Sequence, residues 1–477
     1  MVDEFAEATA QFVQWLPKVG IEVAPEVRVE DLRDAGQNRS VVASGAVQEG
    51  ATLFTIPRSA LLNVHTSALR ECAAGLPAAL EEKIGHWEGL VMCVYYERCV
   101  LQERSRWWPC LRLFPAVEEM DNLIYWNAEQ RQLLTPSLVG SRIGDESARE
   151  MHARVLALAE EWGLSELKEM SWDAFVHIAS VIMAYSFDCR LNSDEEDDEE
   201  DDDGALDGGT VAADGCIKSI VALAETLNSD THLANANLTY DRDQLKMIAV
   251  KDIKAGEQVY NLYGSYSNAE LLRRYGYVEW TGSKYDYGEI ELSAIRETIS
   301  KELAVPDFPF DAVLALLEDK DGWAGELFDY NDIVEESYDC YADGELAPDG
   351  AFLVQLLVAL AQVPRAALGK GSTLSVRTRK ISKKVMQLLE SGRITRKAAD
   401  VLESVIRDRM QAYPPHVAVF DGQKPTDLQA MDPAPRREAM ARCVLQCEVK
   451  ALQKCALAIS SNYKIISDDL LMGKLLN

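Results

Sequence analysis

The chain has 477 residues, 48% apolar and 26% charged, with a formal net charge of −30, which is too long for one ordinary core and predicts two or three domains. No stretch nears the roughly 20 consecutive apolar residues that span a bilayer. Met1-Val2-Asp3-Glu4 opens with acids where a secretory leader is basic, so a soluble intracellular protein is expected. The acidic balance argues against direct nucleic-acid binding and suits a basic protein partner.

In chain order, Phe5, Ala8, Phe12, Trp15 and Leu16 have the apolar spacing of a helix over 4–16. Short strand-like runs follow at Ile21–Val23, Val27–Val29, Ser40–Ala43 and Thr52–Ile56, the last stopped by Pro57. From about 66 to 188 the pattern is helical. Helices are predicted at Trp87–Val100, 127–134, 146–162 and 172–186, with a break at Trp107-Trp108-Pro109. Asp194–Asp203 is an unbroken run of ten acids followed by Gly204, Gly208 and Gly209. Such a run repels itself and reads as a solvated, disordered loop over 193–209. Beyond about 289, helices return at 293–303, 310–317, 350–362, 378–391, 394–411 and 433–460. The ten cysteines have no framework spacing and the six histidines do not cluster with them, so no metal site is expected.

Residues 224–280 are the most informative stretch. Asn237–Tyr240 and Leu245–Val250 are β-rich runs joined by the turn Asp241-Arg242-Asp243, and Lys254–Glu257 is a second turn before Gln258–Tyr263. Together they predict one meander with polar residues at both ends. An apolar run is broken by Leu227-Asn228, and Tyr263-Gly264 at a strand end suggests close approach to a ligand. A Rossmann unit is absent, since no glycine-rich turn follows an early strand.

Strands, a helical insertion, strands again and a helical tail form an uncommon order. It resembles the SET-domain protein-lysine methyltransferases of the class typified by Rubisco large-subunit methyltransferase. The match rests on Ala46–Arg58, on Ser105-Arg106-Trp107-Trp108-Pro109-Cys110-Leu111, on Leu227-Asn228 through Asn235-Ala236-Asn237-Leu238, and on Asn261-Leu262-Tyr263-Gly264 with Asn268 and Tyr275-Gly276. It covers nearly the whole chain and is closest to the subgroup of SET domain-containing protein six and the fungal ribosomal lysine methyltransferases. The implied fold is α+β: a SET domain of small β-sheets with a pseudoknot, interrupted by a helical insertion and followed by an all-α substrate-binding domain. The implied divisions are 1–64 for the first strands, 65–215 for the insertion, 216–288 for the second half of SET, and 289–477 for the helical domain.

The resemblance further implies transfer of methyl groups from S-adenosylmethionine to a lysine, with Tyr263 as the catalytic tyrosine. The cofactor residues it marks are Asn38, Arg39, Ser40, Asn228, Ser229, Tyr263 and Tyr275. Trp107, Tyr185, Ser186, Tyr240 and Tyr275 fall on the substrate side. Two positions depart from the pattern: the usual Gly-x-Gly loop falls on Asn38-Arg39-Ser40, and Ser229 stands where a histidine commonly follows the asparagine. The basic cluster Arg377, Arg379 and Lys380 is expected to shape a groove for the target protein. The expected partner is a basic protein of the large ribosomal subunit, the expected state a monomer, and the expected compartment the nucleus, with the cytoplasm second. Alternatives within the same reading are a non-ribosomal nuclear target, a histidine acceptor, and a non-catalytic scaffold whose acidic loop holds basic proteins.

Overall fold

The computed structural model describes residues 3–73, 75–76, 84–190, 215–417, 422–425, 428 and 431–476. The predicted acidic loop 193–209 lies outside the described residues. The chain forms two compact units. The first comprises Met1–Arg131, Ser141–Glu279 and Lys424–Arg437; the second comprises Gln132–Gly140, Trp280–Gln423 and Glu438–Asn477.

The first unit begins with helix α1 (Glu4–Trp15), capped by the Asp3 carboxylate, which accepts from the amides of Phe5 and Ala6. Its buried stripe is Ala8, Phe12 and Trp15, the spacing read from the sequence. Five short strands follow: β1 (Glu22–Val23), β2 (Val27–Asp31), β3 (Arg39–Ala43), β4 (Thr52–Pro57) and β5 (Leu61–Leu62). The insertion contributes α2 (His86–Tyr95), α3 (Asp145–Glu161) and α4 (Trp172–Tyr185). Nearly every residue of α2 is buried, as an apolar-all-round helix requires. After α4 the chain continues into β6 (Ser186–Arg190), a strand that the apolar helical pattern concealed. The remaining elements are β7 (Cys216–Val221), β8 (Asn228–Ser229), β9 (Ala236–Tyr240), β10 (Gln244–Ala249), β11 (Tyr260–Asn261) and α5 (Asn268–Tyr275).

These strands form small sheets ordered β1-β4-β10-β9, β5-β7-β6, β2-β3 and β8-β11. In the first, Leu245 faces Ile56 and Met247 faces Phe54. All four side chains are buried, while the residues between them are half-buried, which is the period-2 alternation of a strand with one face on a core. The predicted meander needs correction. Strands β9 and β10 form an antiparallel hairpin, but the third run leaves it. There Val259 donates its amide to the Val41 carbonyl, and β11 pairs in parallel with β8.

The second unit has its own core. Its main elements are β12 (Tyr287–Glu291), α6 (Leu292–Glu302), α7 (Phe310–Glu318), β13 (Ser337–Tyr341), α8 (Pro348–Ala361), α9 (Ser372–Glu390), β14 (Arg393–Thr395), α10 (Arg396–Gln411), α11 (Pro433–Asn462) from Glu438 onward, and β15 (Lys464–Ile466). Helix α8 is buried continuously from Gly350 to Leu360. Its one central polar residue, Gln355, is satisfied by Thr395, donating to the hydroxyl and accepting from the amide. The tail is therefore helical, but not purely so: β12 pairs with β13 and β14 with β15. Both pairings are short and join segments distant in sequence, so no local pattern announces them.

Candidate active site

The site is built in the first unit by the crossing of two short segments. In the β8–β11 pair, Asn228 lies opposite Tyr260 and Ser229 opposite Asn261. Two residues beyond Asn261 the Tyr263 amide donates to Ser229 Oγ at 3.3 Å, and the Tyr263 hydroxyl donates to the Leu227 carbonyl at 2.7 Å. The Tyr263 phenol thus meets the chain at Leu227, one residue before Asn228 and 36 positions away in sequence. Asn235 reinforces the crossing by donating to the Gln258 carbonyl at 3.0 Å and accepting the Tyr260 amide at 2.9 Å.

Helix α5 starts at the Ser267 cap and ends at Gly276, whose φ of 74° is left-handed. It delivers Tyr275 and, just beyond it, Tyr277. The Tyr263 and Tyr275 rings lie 4.8 Å apart, and the Tyr277 ring stands edge-on to Tyr263 at 6.5 Å. Tyr266 adds a fourth ring 6.1 Å from Tyr275. The close approach expected at Gly264 is real but internal: with φ at 148°, a side chain there would come within 2.5 Å of the Tyr266 ring. Glu279 then ties the assembly together, accepting from the Thr231 amide at 2.7 Å and its hydroxyl at 2.5 Å. Its own backbone exchanges hydrogen bonds with the Asn268 side chain.

Crowding by protein dominates the electrostatics. It pushes the Tyr263 phenol well above its ordinary range, helped by Tyr277, Tyr185 and Tyr275. Burial likewise raises Tyr275 and Tyr277. Tyr185 is pushed up to about 12, first by burial and then by Glu119 and Glu225. Glu225 itself is raised to about 7 by burial. Its Oε1 accepts from the Cys110 thiol and the Thr226 hydroxyl, while Oε2 is buried without a partner among the described residues.

The other marked residues are placed as follows. Asn38 is exposed in the loop before β3, its carbonyl accepting the Leu32 amide at 2.8 Å. Arg39 is half-buried, its guanidinium bonded to the Thr9 hydroxyl and the Leu113 carbonyl and stacked 3.9 Å over Phe5. Ser40 is fully buried and its hydroxyl has no partner among the described residues. Trp107 is a core residue, 6.2 Å from Trp15 and covered by Arg106. Tyr185 lies 5.0 Å from Phe114. Ser186 opens β6, and Tyr240 closes β9 opposite Leu245, where burial and then Cys189 and Asp188 raise its phenol. In the second unit, Arg379 pairs with Glu326 at 3.8 Å, and Arg377 and Lys380 line a cavity of about 360 Å³.

Sequence reasoning passed over Glu225, Tyr277 and Gln258. Glu225 stands in the 224–280 stretch, but a single acid before an asparagine carries no pattern. Tyr277 follows Tyr275 at alternate spacing, the one signal that would have marked it.

Small sheets, a parallel crossing of an asparagine segment with a tyrosine segment, and a helical insertion define the SET domain of a protein-lysine methyltransferase. No family model matches the chain. Rubisco large-subunit methyltransferase bound to S-adenosylmethionine superposes with a TM-score of 0.61 at 18% identity, over 95% of this chain and 92% of that one. Its SET domain bound to lysine and S-adenosylhomocysteine gives 0.61 over 96% and 91%. Ribosomal lysine N-methyltransferase 4 of Saccharomyces cerevisiae is 39% identical over 485 residues, covering 100% of this chain and 96% of its own. N-lysine methyltransferase SETD6 of Rattus norvegicus is 29% identical over 61% of this chain and 59% of its own. The chain belongs to the SET-domain lysine N-methyltransferases, in the family of ribosomal lysine N-methyltransferase 4.

Proposed function

We propose that the chain transfers methyl groups from S-adenosylmethionine to a lysine of a large-subunit ribosomal protein, acting as a monomer in the nucleus. The carrying observation is the Tyr263 hydroxyl seated on the Leu227 carbonyl, the residue before Asn228, with the Tyr263 ring against Tyr275 and Tyr277. The ribosomal target is supported by the similarity to the yeast enzyme of that name and by a net charge of −30 that suits a basic substrate.

The residues fit the cofactor. Asn228 offers a side-chain oxygen that takes no hydrogen bond from the described residues, and Ser40 a buried hydroxyl lacking one. Asn228, with Ser229 and the Asn38-Arg39-Ser40 segment, would hold the cofactor, which supplies the methyl group on a cationic sulfonium. A lysine amine must arrive neutral, against an ordinary pKa of about 10.4. Desolvation between tyrosine rings disfavours its ammonium. Tyr263 donates its only proton to Leu227 and so presents lone pairs to an incoming N–H. With its own ionisation pushed upward, the phenol orients the amine and does not deprotonate it. Alignment and exclusion of water then supply the acceleration. Tyr185, Ser186 and Tyr240 would shape the substrate side, and the second unit with Arg377, Arg379 and Lys380 would receive the target protein.

The test is calorimetric binding of S-adenosylmethionine followed by labelled-methyl transfer to ribosomal extract. Wild type and Tyr263→Phe should bind the cofactor alike, with transfer lowered about 100-fold in the variant. Wild-type protein that neither binds the cofactor nor labels any protein would leave only the scaffold reading.

A further inference from the structure

Asn228 does not act alone. Its Nδ2 donates to Gln258 Oε1 at 3.2 Å, and Gln258 Nε2 donates onward to Gln37 Oε1 at 2.9 Å. Three amides thus run in series from β8 to the residue just before Asn38. The middle one is held firmly by its backbone. The Gln258 carbonyl accepts from Asn235, Val259 donates to Val41, and Gln258 bridges Val42.

A carboxamide is nearly symmetric in shape, so only its hydrogen-bond partners decide whether oxygen or NH2 faces a ligand. A free Asn228 would present NH2 much of the time, and two donors repel an ammonium. With the NH2 occupied by Gln258, the oxygen remains available. We infer that Gln258 is a positioning residue for the cofactor's amino-acid end: it fixes the Asn228 amide so that its oxygen faces the ligand's ammonium, and through Gln37 it ties that choice to the Asn38-Arg39-Ser40 segment. The inference rests on the reading of Asn228 as a cofactor residue.

The test compares two ligands on the full chain by calorimetry. S-adenosylhomocysteine carries the amino-acid end; methylthioadenosine has the same nucleoside and sulfur without it. Gln258→Leu should weaken S-adenosylhomocysteine three- to tenfold, the value of about one hydrogen bond, while methylthioadenosine stays within about twofold. Gln258→Glu, whose carboxylate can only accept, should restore S-adenosylhomocysteine to within about threefold of wild type. Asn228→Ala should weaken S-adenosylhomocysteine and make Gln258→Leu silent when the two are combined. Equal losses for both ligands in Gln258→Leu would overturn the inference as general damage. So would unchanged binding in Gln258→Leu beside a loss in Asn228→Ala. Unchanged binding in Asn228→Ala would remove the underlying reading as well.

Discussion

Glu225→Gln should stabilise the first unit at alkaline pH and do little at acid pH. Glu225 is 8% exposed, one carboxylate oxygen has no partner among the described residues, and burial raises it from 4.5 to about 7. A raised acid is a group the folded state prefers protonated. Below pH 4.5 both states carry the proton and there is no penalty. Between 4.5 and 7 the unfolded chain loses its proton first, so stability falls as pH rises, and above 7 the full penalty stands. At about 1.4 kcal/mol for each tenfold change in proton affinity, the rise from 4.5 to about 7 makes that penalty roughly 3–3.5 kcal/mol, of which less than about 1 is present at pH 5. Glutamine keeps the shape and removes the charge, so its advantage over wild type should grow by about 2–3 kcal/mol between pH 5 and pH 8. Urea unfolding followed by tryptophan emission is the assay, because seven of the nine tryptophans lie in the first unit. An advantage of the same size at both pH values would refute the reasoning, since the carboxyl would then titrate alike in both states.

Gly276→Ala should lower the thermal midpoint of the first unit by several degrees. Its φ of 74° alone costs a β-carbon about 1–2 kcal/mol, and that carbon would sit 2.8 Å from the Asn122 amide nitrogen. Glu279→Ala should cost about 2–4 kcal/mol in urea by removing the carboxylate that accepts from the buried Thr231 amide and hydroxyl, and Glu279→Gln should recover part of it. In the second unit, Glu448 accepts from the Ser137 and Tyr413 hydroxyls and is raised to about 7 by burial. By the same sign, Glu448→Gln should raise that unit's calorimetric transition at pH 8 and leave it nearly unchanged at pH 5.

What could be read in advance follows the range of the forces involved. The α1 stripe and the β9–β10 alternation are local, and they appear where the sequence puts them. Strand β6 was hidden because Trp172–Tyr185 runs into it without a glycine or proline to mark the change. The third run of the supposed meander has a strand's composition, yet its partners, Val41 and β8, lie 218 and 32 positions away. Only the family resemblance could foresee that crossing. The half-buried setting of Arg39 could not be foreseen, because nothing nearby in sequence announces Phe5, Thr9 and Leu113 around it. Glu225 escaped notice for a related reason: its meaning comes from burial, which one acidic letter does not reveal.

The bond from Val259 to Val41 also sets a timetable for synthesis. At about 5–20 residues per second, β3 leaves the ribosome some 10–45 seconds before the strand that will close over it. Through that interval an apolar edge waits without its mate, and the helical insertion must emerge in between. Expression in cells should therefore respond to translation speed and to chaperones that shield strand edges, more sharply than the stability of the finished enzyme would suggest.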